Sequence, residues 1–163
     1  MPMNLEGSCQ CGAVTFRIAS HAPVPYQRCY CTICRKTAGT GGFAINIGGI
    51  ADTLAVTGQE NVGVFRAELD RDGVCELSEE RRHYCTRCGT ALWVADPGAP
   101  ESVFPFAAAI DTALPLPPEH VHIMLDHKAP WVVVPEGPEH RHFEQFPEET
   151  IADWHKARGL WVE

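Results

Sequence analysis

Apolar residues in this chain come in short bursts of four to six, separated by glycine, proline, aspartate or asparagine. Residues 13–18, 43–47, 53–57, 62–67, 91–94, 121–125 and 131–134 are rich in β-branched and aromatic side chains, and each is bounded by turn formers. That pattern predicts short strands in a meandering sheet. One segment has a different period. Pro147-Glu148-Glu149-Thr150 puts acids in a first turn, Ile151, Trp154 and Ala157 follow at i, i+3 and i+6, and Gly159 ends the run. This predicts a C-terminal helical tail over about 147–159. Residues 96–100 and 114–118 read as proline-rich loops. The fold class predicted is mainly β, with little helix.

With 163 residues, 45% apolar and 21% charged, the chain suits one domain spanning 1–163. Thirteen Lys and Arg against twenty-one Asp and Glu leave a net charge of −8, and no basic run exceeds Arg81-Arg82. Nucleic acid and anionic membranes are therefore poor partners. The first eight residues have neither a basic nor an apolar signal region. The longest apolar stretch, 103–110, is broken by Pro105 and falls short of the about 20 residues of a bilayer span. The expectation is a soluble, cytoplasmic protein. In a reducing compartment its eight cysteines suit metal or thiol chemistry better than disulfides.

Seven of the eight fall in tight groups. Zinc takes thiolates in a tetrahedron, and ligands arrive in close pairs because one turn aims two side chains at one ion. Cys9-Gln10-Cys11 and Cys85-Thr86-Arg87-Cys88 are such pairs, each followed by a glycine, Gly12 and Gly89, where the turn calls for positive φ. Together they predict a closed, structural four-thiolate zinc site joining the N-terminal segment to the middle of the chain. Cys29-Tyr30-Cys31-Thr32-Ile33-Cys34 offers three more thiolates, which leave a fourth position open for a reactive site. Alternatively Cys75 closes that position. A solitary cysteine is more often a small buried hydrophobe.

Other residues carry weaker signals. His120 and His122, like His140 and His142, share one face of a strand; surface or hydrogen-bonded roles suit them better than metal ligation. Trp131 and Trp154 read as core.

The segments Gly7-Ser8-Cys9-Gln10-Cys11-Gly12-Ala13-Val14-Thr15-Phe16, Cys29-x-Cys31-x-x-Cys34-Arg35-Lys36, Tyr84-Cys85-x-x-Cys88-Gly89-Thr90-x-Leu92 and 122–131 resemble, in order, the glutathione-dependent formaldehyde-activating enzyme family, also called the centromere protein V-type domain. The resemblance covers about 5–145. It implies a β-tent fold of stacked antiparallel sheets and two Zn2+ per chain, a structural one on Cys9, Cys11, Cys85 and Cys88 and a catalytic one on Cys29, Cys31 and Cys34. It also implies carbon–sulfur lyase chemistry that joins glutathione, a small-molecule thiol, to formaldehyde. Two departures bear on the thiol: Tyr30 stands where many members carry His, and residues 67–80 are longer and more acidic than expected and contain Cys75.

Three thiolates on a divalent ion give a net −1, so a further incoming thiolate calls for nearby cations. Arg35 and Lys36, directly after Cys34, are the candidates, for that charge or for a glutathione carboxylate. A non-catalytic zinc-held β module, or a related lyase using another thiol, are the alternatives. The sequence does not set the oligomeric state.

Overall fold

The computed structural model describes residues 1–163. The chain runs through β1 (Met3–Ser8), β2 (Thr15–Ser20), β3 (Gln27–Cys29), α1 (Thr32–Ala38), β4 (Ala44–Ile45), β5 (Gly49–Ile50), β6 (Ala55–Thr57) and β7 (Val62–Phe65). It continues through β8 (Glu68–Arg71), β9 (Val74–Leu77), β10 (Arg81–Cys85), β11 (Ala91–Ala95), β12 (Ser102–Pro105), β13 (His120–Ile123), β14 (His140–His142) and α2 (Ile151–Ala157).

The strands form an antiparallel sheet β1-β2-β6, an antiparallel sheet β5-β12-β11-β10-β7, and a sheet β14-β13-β3-β4; β8 and β9 stand apart as a hairpin. Mainly β architecture with little helix is what the sequence predicts. One feature departs from pure antiparallel pairing: β13 runs parallel to both β3 and β14.

Alternation explains the main core. Phe16 and Ile18 on β2 point inward while Thr15 and Arg17 face out, and Leu5 on β1 stands opposite Ile18. β11 lies between β10 and β12, so Leu92, Trp93 and Val94 are all buried. Trp93 meets Phe16 edge-on at 5.3 Å. A second core forms where α2 packs: Trp154 stacks on Tyr26 with ring centroids 3.6 Å apart, and its Nε1 donates to Glu119. Thr150 caps α2 by accepting from the Asp153 N–H, which places the helix start later than the proline pattern suggests.

Two expectations need correction. Residues 131–134 form no strand, and Trp131 is 65% exposed rather than core. Pro130 and Pro135 bound the run and cannot donate to a ladder, so of its residues Val132 is buried against Tyr30 and Ala129, Val134 is half-buried beside them, and Trp131 and Val133 face out. The sequence also gives no warning of α1, whose N-cap is Cys31 rather than one of the usual hydroxyl, carboxylate or amide residues. No helix is long and apolar enough to cross a membrane.

Candidate metal centres

Cys9 and Cys11 sit at the turn that joins β1 to β2, and Cys85 and Cys88 at the turn that joins β10 to β11. Gly12 (φ +75°) and Gly89 (φ +77°) close these turns, donating N–H to Cys9 O at 3.0 Å and Cys85 O at 2.8 Å. A Cβ at either glycine would meet nothing within 4 Å, so the requirement is the left-handed backbone and not space. All four Sγ atoms come within 4.8 Å of one another. The Cys9–Cys11 and Cys11–Cys85 separations are 3.6 and 3.9 Å. A tetrahedron with metal–sulfur bonds of about 2.3 Å has edges of about 3.8 Å, so the group fits a zinc-sized ion. Cys9 and Cys85 are buried in the main core, whereas Cys11 and Cys88 are exposed.

Thr90, part of the Cys85–Leu92 motif but with no role evident from its spacing, ties the two turns together. Its hydroxyl accepts from Gln10 N–H at 3.1 Å and lies 3.2 Å from Cys88 Sγ. The Thr90 side chain and main-chain N–H bring the Cys88 thiol down to about 5.

The second group brings Cys29, at the end of β3, together with Cys31 and Cys34, at the first turn of α1, again within 4.8 Å. The Cys34 N–H donates to Cys31 Sγ at 3.2 Å. Hydrogen bonds with Cys29 and Cys34 push Cys31 far down, and the Arg82 charge adds to this. Sharing with Cys31 and Cys34, and then burial, push Cys29 up. Three sulfurs this close hold one negative charge comfortably and need a cation to hold three. The same three cysteines line a cavity of about 630 Å³.

The remaining expected residues fall elsewhere. Cys75 is exposed on β9, opposite Asp70, and joins neither sulfur group, so it does not close the second one. Lys36 is exposed on α1 and lies outside the cavity lining; Arg35 is also outside it. The cation beside the sulfurs is Arg82 of β10. Both of its terminal nitrogens lie 3.8 Å from Cys34 Sγ, and Nη2 is 3.2 Å from Glu80 Oε2.

The opposite face of β3 carries a separate network. The Tyr30 hydroxyl is 2.8 Å from His122 Nδ1, and His122 Nε2 is 3.0 Å from His140 Nδ1. β13 and β14 pair His120 with His140 and His122 with His142. Burial first, then Arg28 and the other histidines, hold His122 down to about 4. His122, His140 and His142 are hydrogen-bonded, while His120 stacks on His140 with its buried Nδ1 unpartnered, and the four form no third metal-sized cluster.

Residues 4–126 match the family model described as glutathione-dependent formaldehyde-activating enzyme. This chain belongs to that family. A relative from Halomonas elongata, named "Putative glutathione-dependent formaldehyde-activating enzyme", is 54% identical over 158 residues, covering 97% of this chain and 98% of its own. A crystal structure of a Rhodobacter sphaeroides protein shares the fold with a TM-score of 0.50 at 24% identity, over 69% of this chain and 92% of that one. Both cysteine groups could hold a metal ion, and the three-cysteine group lines the 630 Å³ cavity.

Proposed function

We propose that the chain is a cytoplasmic, zinc-dependent carbon–sulfur lyase that joins a small thiol, glutathione, to formaldehyde. Cys9, Cys11, Cys85 and Cys88 hold a structural zinc, and Cys29, Cys31 and Cys34 hold the catalytic one. The observation that carries the reading is a three-sulfur group at the wall of a 630 Å³ cavity, with no fourth protein ligand within reach. A closed structural site has four ligands, whereas an incomplete one leaves room for a reactant.

A zinc ion held by these three cysteines supplies a position at which a thiol is kept as its thiolate. The thiol sulfur adds to the carbonyl carbon of formaldehyde, forming one S–C bond. The π-bond pair moves to oxygen, which takes up the proton that left the thiol. No electron donor or acceptor is needed. Ile33, Val94 and Phe104 make the inner wall apolar, which restricts water around the sulfur group. The rim is charged, with Arg71 and Glu76 contributed by the hairpin and Asp96 by the end of β11.

The test is NMR of 13C-formaldehyde with glutathione and catalytic amounts of zinc-loaded protein. The S-hydroxymethyl resonance should reach equilibrium faster than in buffer, and the acceleration should vanish in Cys34→Ser. A rate equal to buffer, with both zinc sites filled, contradicts a lyase and favours a zinc-held binding module.

A further inference from the structure

A guanidinium carries its charge at every accessible pH, so burying one demands a counter-charge. Arg82 is 9% exposed in its side chain, and the carboxylate it meets, Glu80, is 46% exposed at the cavity rim. Its two terminal nitrogens both aim at Cys34 Sγ. A neutral thiol is a weak acceptor, whereas a thiolate is a strong one. Such a placement suits a sulfur group that carries net negative charge. Three cysteinates on a divalent ion leave −1, which one guanidinium offsets, and a fourth thiolate brings the unit to −2. Arg82 also lines the cavity, so it flanks whatever enters.

The geometry points to Arg82 as the specificity-determining residue that makes the open position of the Cys29–Cys31–Cys34 group accept an anionic thiolate in preference to a neutral ligand, with Glu80 holding that preference in check. This rests on the metal-site reading above. Glu80 competes for the same guanidinium across 3.2 Å, so removing its charge leaves Arg82 more fully available to the sulfur side. Arg71, the other cation of the lining, cannot substitute for it. It sits on the exposed hairpin, 70% exposed and directed to Glu76.

The experiment uses the full chain loaded with Co2+, whose visible spectrum reports a ligand change at the three-cysteine group. Three probes are titrated: glutathione, azide as a small anion, and imidazole as a neutral ligand. Arg82→Gln should weaken glutathione and azide about tenfold, the scale of one nearby unit charge at partial screening, while imidazole holds its affinity. Arg82→Lys should recover most of the anion preference, because it keeps the charge and loses only the fork. Glu80→Gln, at an exposed position, should raise the ratio of anion to imidazole affinity several-fold.

Equal weakening of all three probes in Arg82→Gln would make Arg82 a scaffold residue and overturn the proposal. If that variant fails to fold, an unchanged ratio in Glu80→Gln overturns it instead. Wild type that binds azide but not glutathione refutes the lyase reading, while the azide-to-imidazole ratio still judges Arg82. Wild type that binds none of the probes has no open position, and both ideas fall.

Discussion

The Tyr30 hydroxyl and Nδ1 of His122 share a hydrogen bond across 2.8 Å, and neither residue is more than 1% exposed. Tyr30 stands between Cys29 and Cys31 in sequence, so this bond fixes the strand end from behind while the two cysteines face the cavity. With Nδ1 accepting, His122 Nε2 is the donor to His140 Nδ1, and His140 Nε2 lies 3.4 Å from Glu139. Each buried member thereby has a partner.

Tyr30→Phe keeps the ring and removes the hydroxyl, leaving a buried His122 nitrogen unpaired. The expected cost is about 1–3 kcal/mol. Thermal unfolding should show it as a fall of several degrees, with the metal of the three-cysteine group lost more readily than that of the four-cysteine group. An unchanged melting temperature would mean that the bond is dispensable.

Acid should weaken the fold through His122. Its folded value of about 4 lies below the ordinary 6.5, so the unfolded chain binds the proton more tightly. The group's contribution is full above pH 6.5 and falls away as the pH drops toward 4, by at most about 3 kcal/mol. Denaturant unfolding of wild type and His122→Gln between pH 7.5 and 4 separates this from acid loss of metal. The wild-type advantage should shrink over that window. A constant gap between the two proteins would dispose of the linkage.

The two cysteine groups should respond differently to substitution. Cys88→Ser opens a site that joins two turns from distant parts of the chain, and apparent binding energies of structural zinc reach about 10–16 kcal/mol in small domains. Insoluble or unfolded protein is expected. Cys31→Ser should leave circular dichroism intact and lower the zinc count by one. Equal unfolding by both would make both sites structural.

Cys75→Ser should leave zinc content, stability and thiol binding unchanged, while removing the thiol that reacts fastest with an aromatic disulfide reagent in zinc-loaded protein. Loss of a zinc on this substitution would show that the exposed β9 cysteine serves as a ligand after all.

The parts of this molecule legible in the sequence are those made by local turns. The Cys9–Cys11 and Cys85–Cys88 turns, with Gly12 and Gly89 at positive φ, need only a few consecutive residues. Trp154 and the last helix follow from a 3.6-residue period. Apart from the meeting of those two turns, which matching cysteine pairs signal, what depends on contact across the chain is not legible. Arg82 lies 48 residues from Cys34, and its one local signal is strand alternation on β10, which exposes Arg81 and buries Arg82. The cation expected from adjacency, Lys36, is carried to the outside by the turn of α1. Trp131 misleads for a related reason. Three valines after a tryptophan look like a strand, yet the flanking prolines and the absence of a partner edge leave Trp131 and Val133 in solvent. The parallel pairing of β13 with β3 and β14, which assembles the histidines, leaves no mark in the sequence at all.

The central claim is that Cys29, Cys31 and Cys34 hold a zinc ion with one position open to a thiol. Zinc K-edge absorption of the fully loaded protein counts sulfur neighbours directly. Four cysteines at one site and three at the other give an average of 3.5 sulfurs per zinc, and saturating glutathione should raise that average to 4. An average of 4 before glutathione is added, or 3.5 unchanged after it, would contradict the claim.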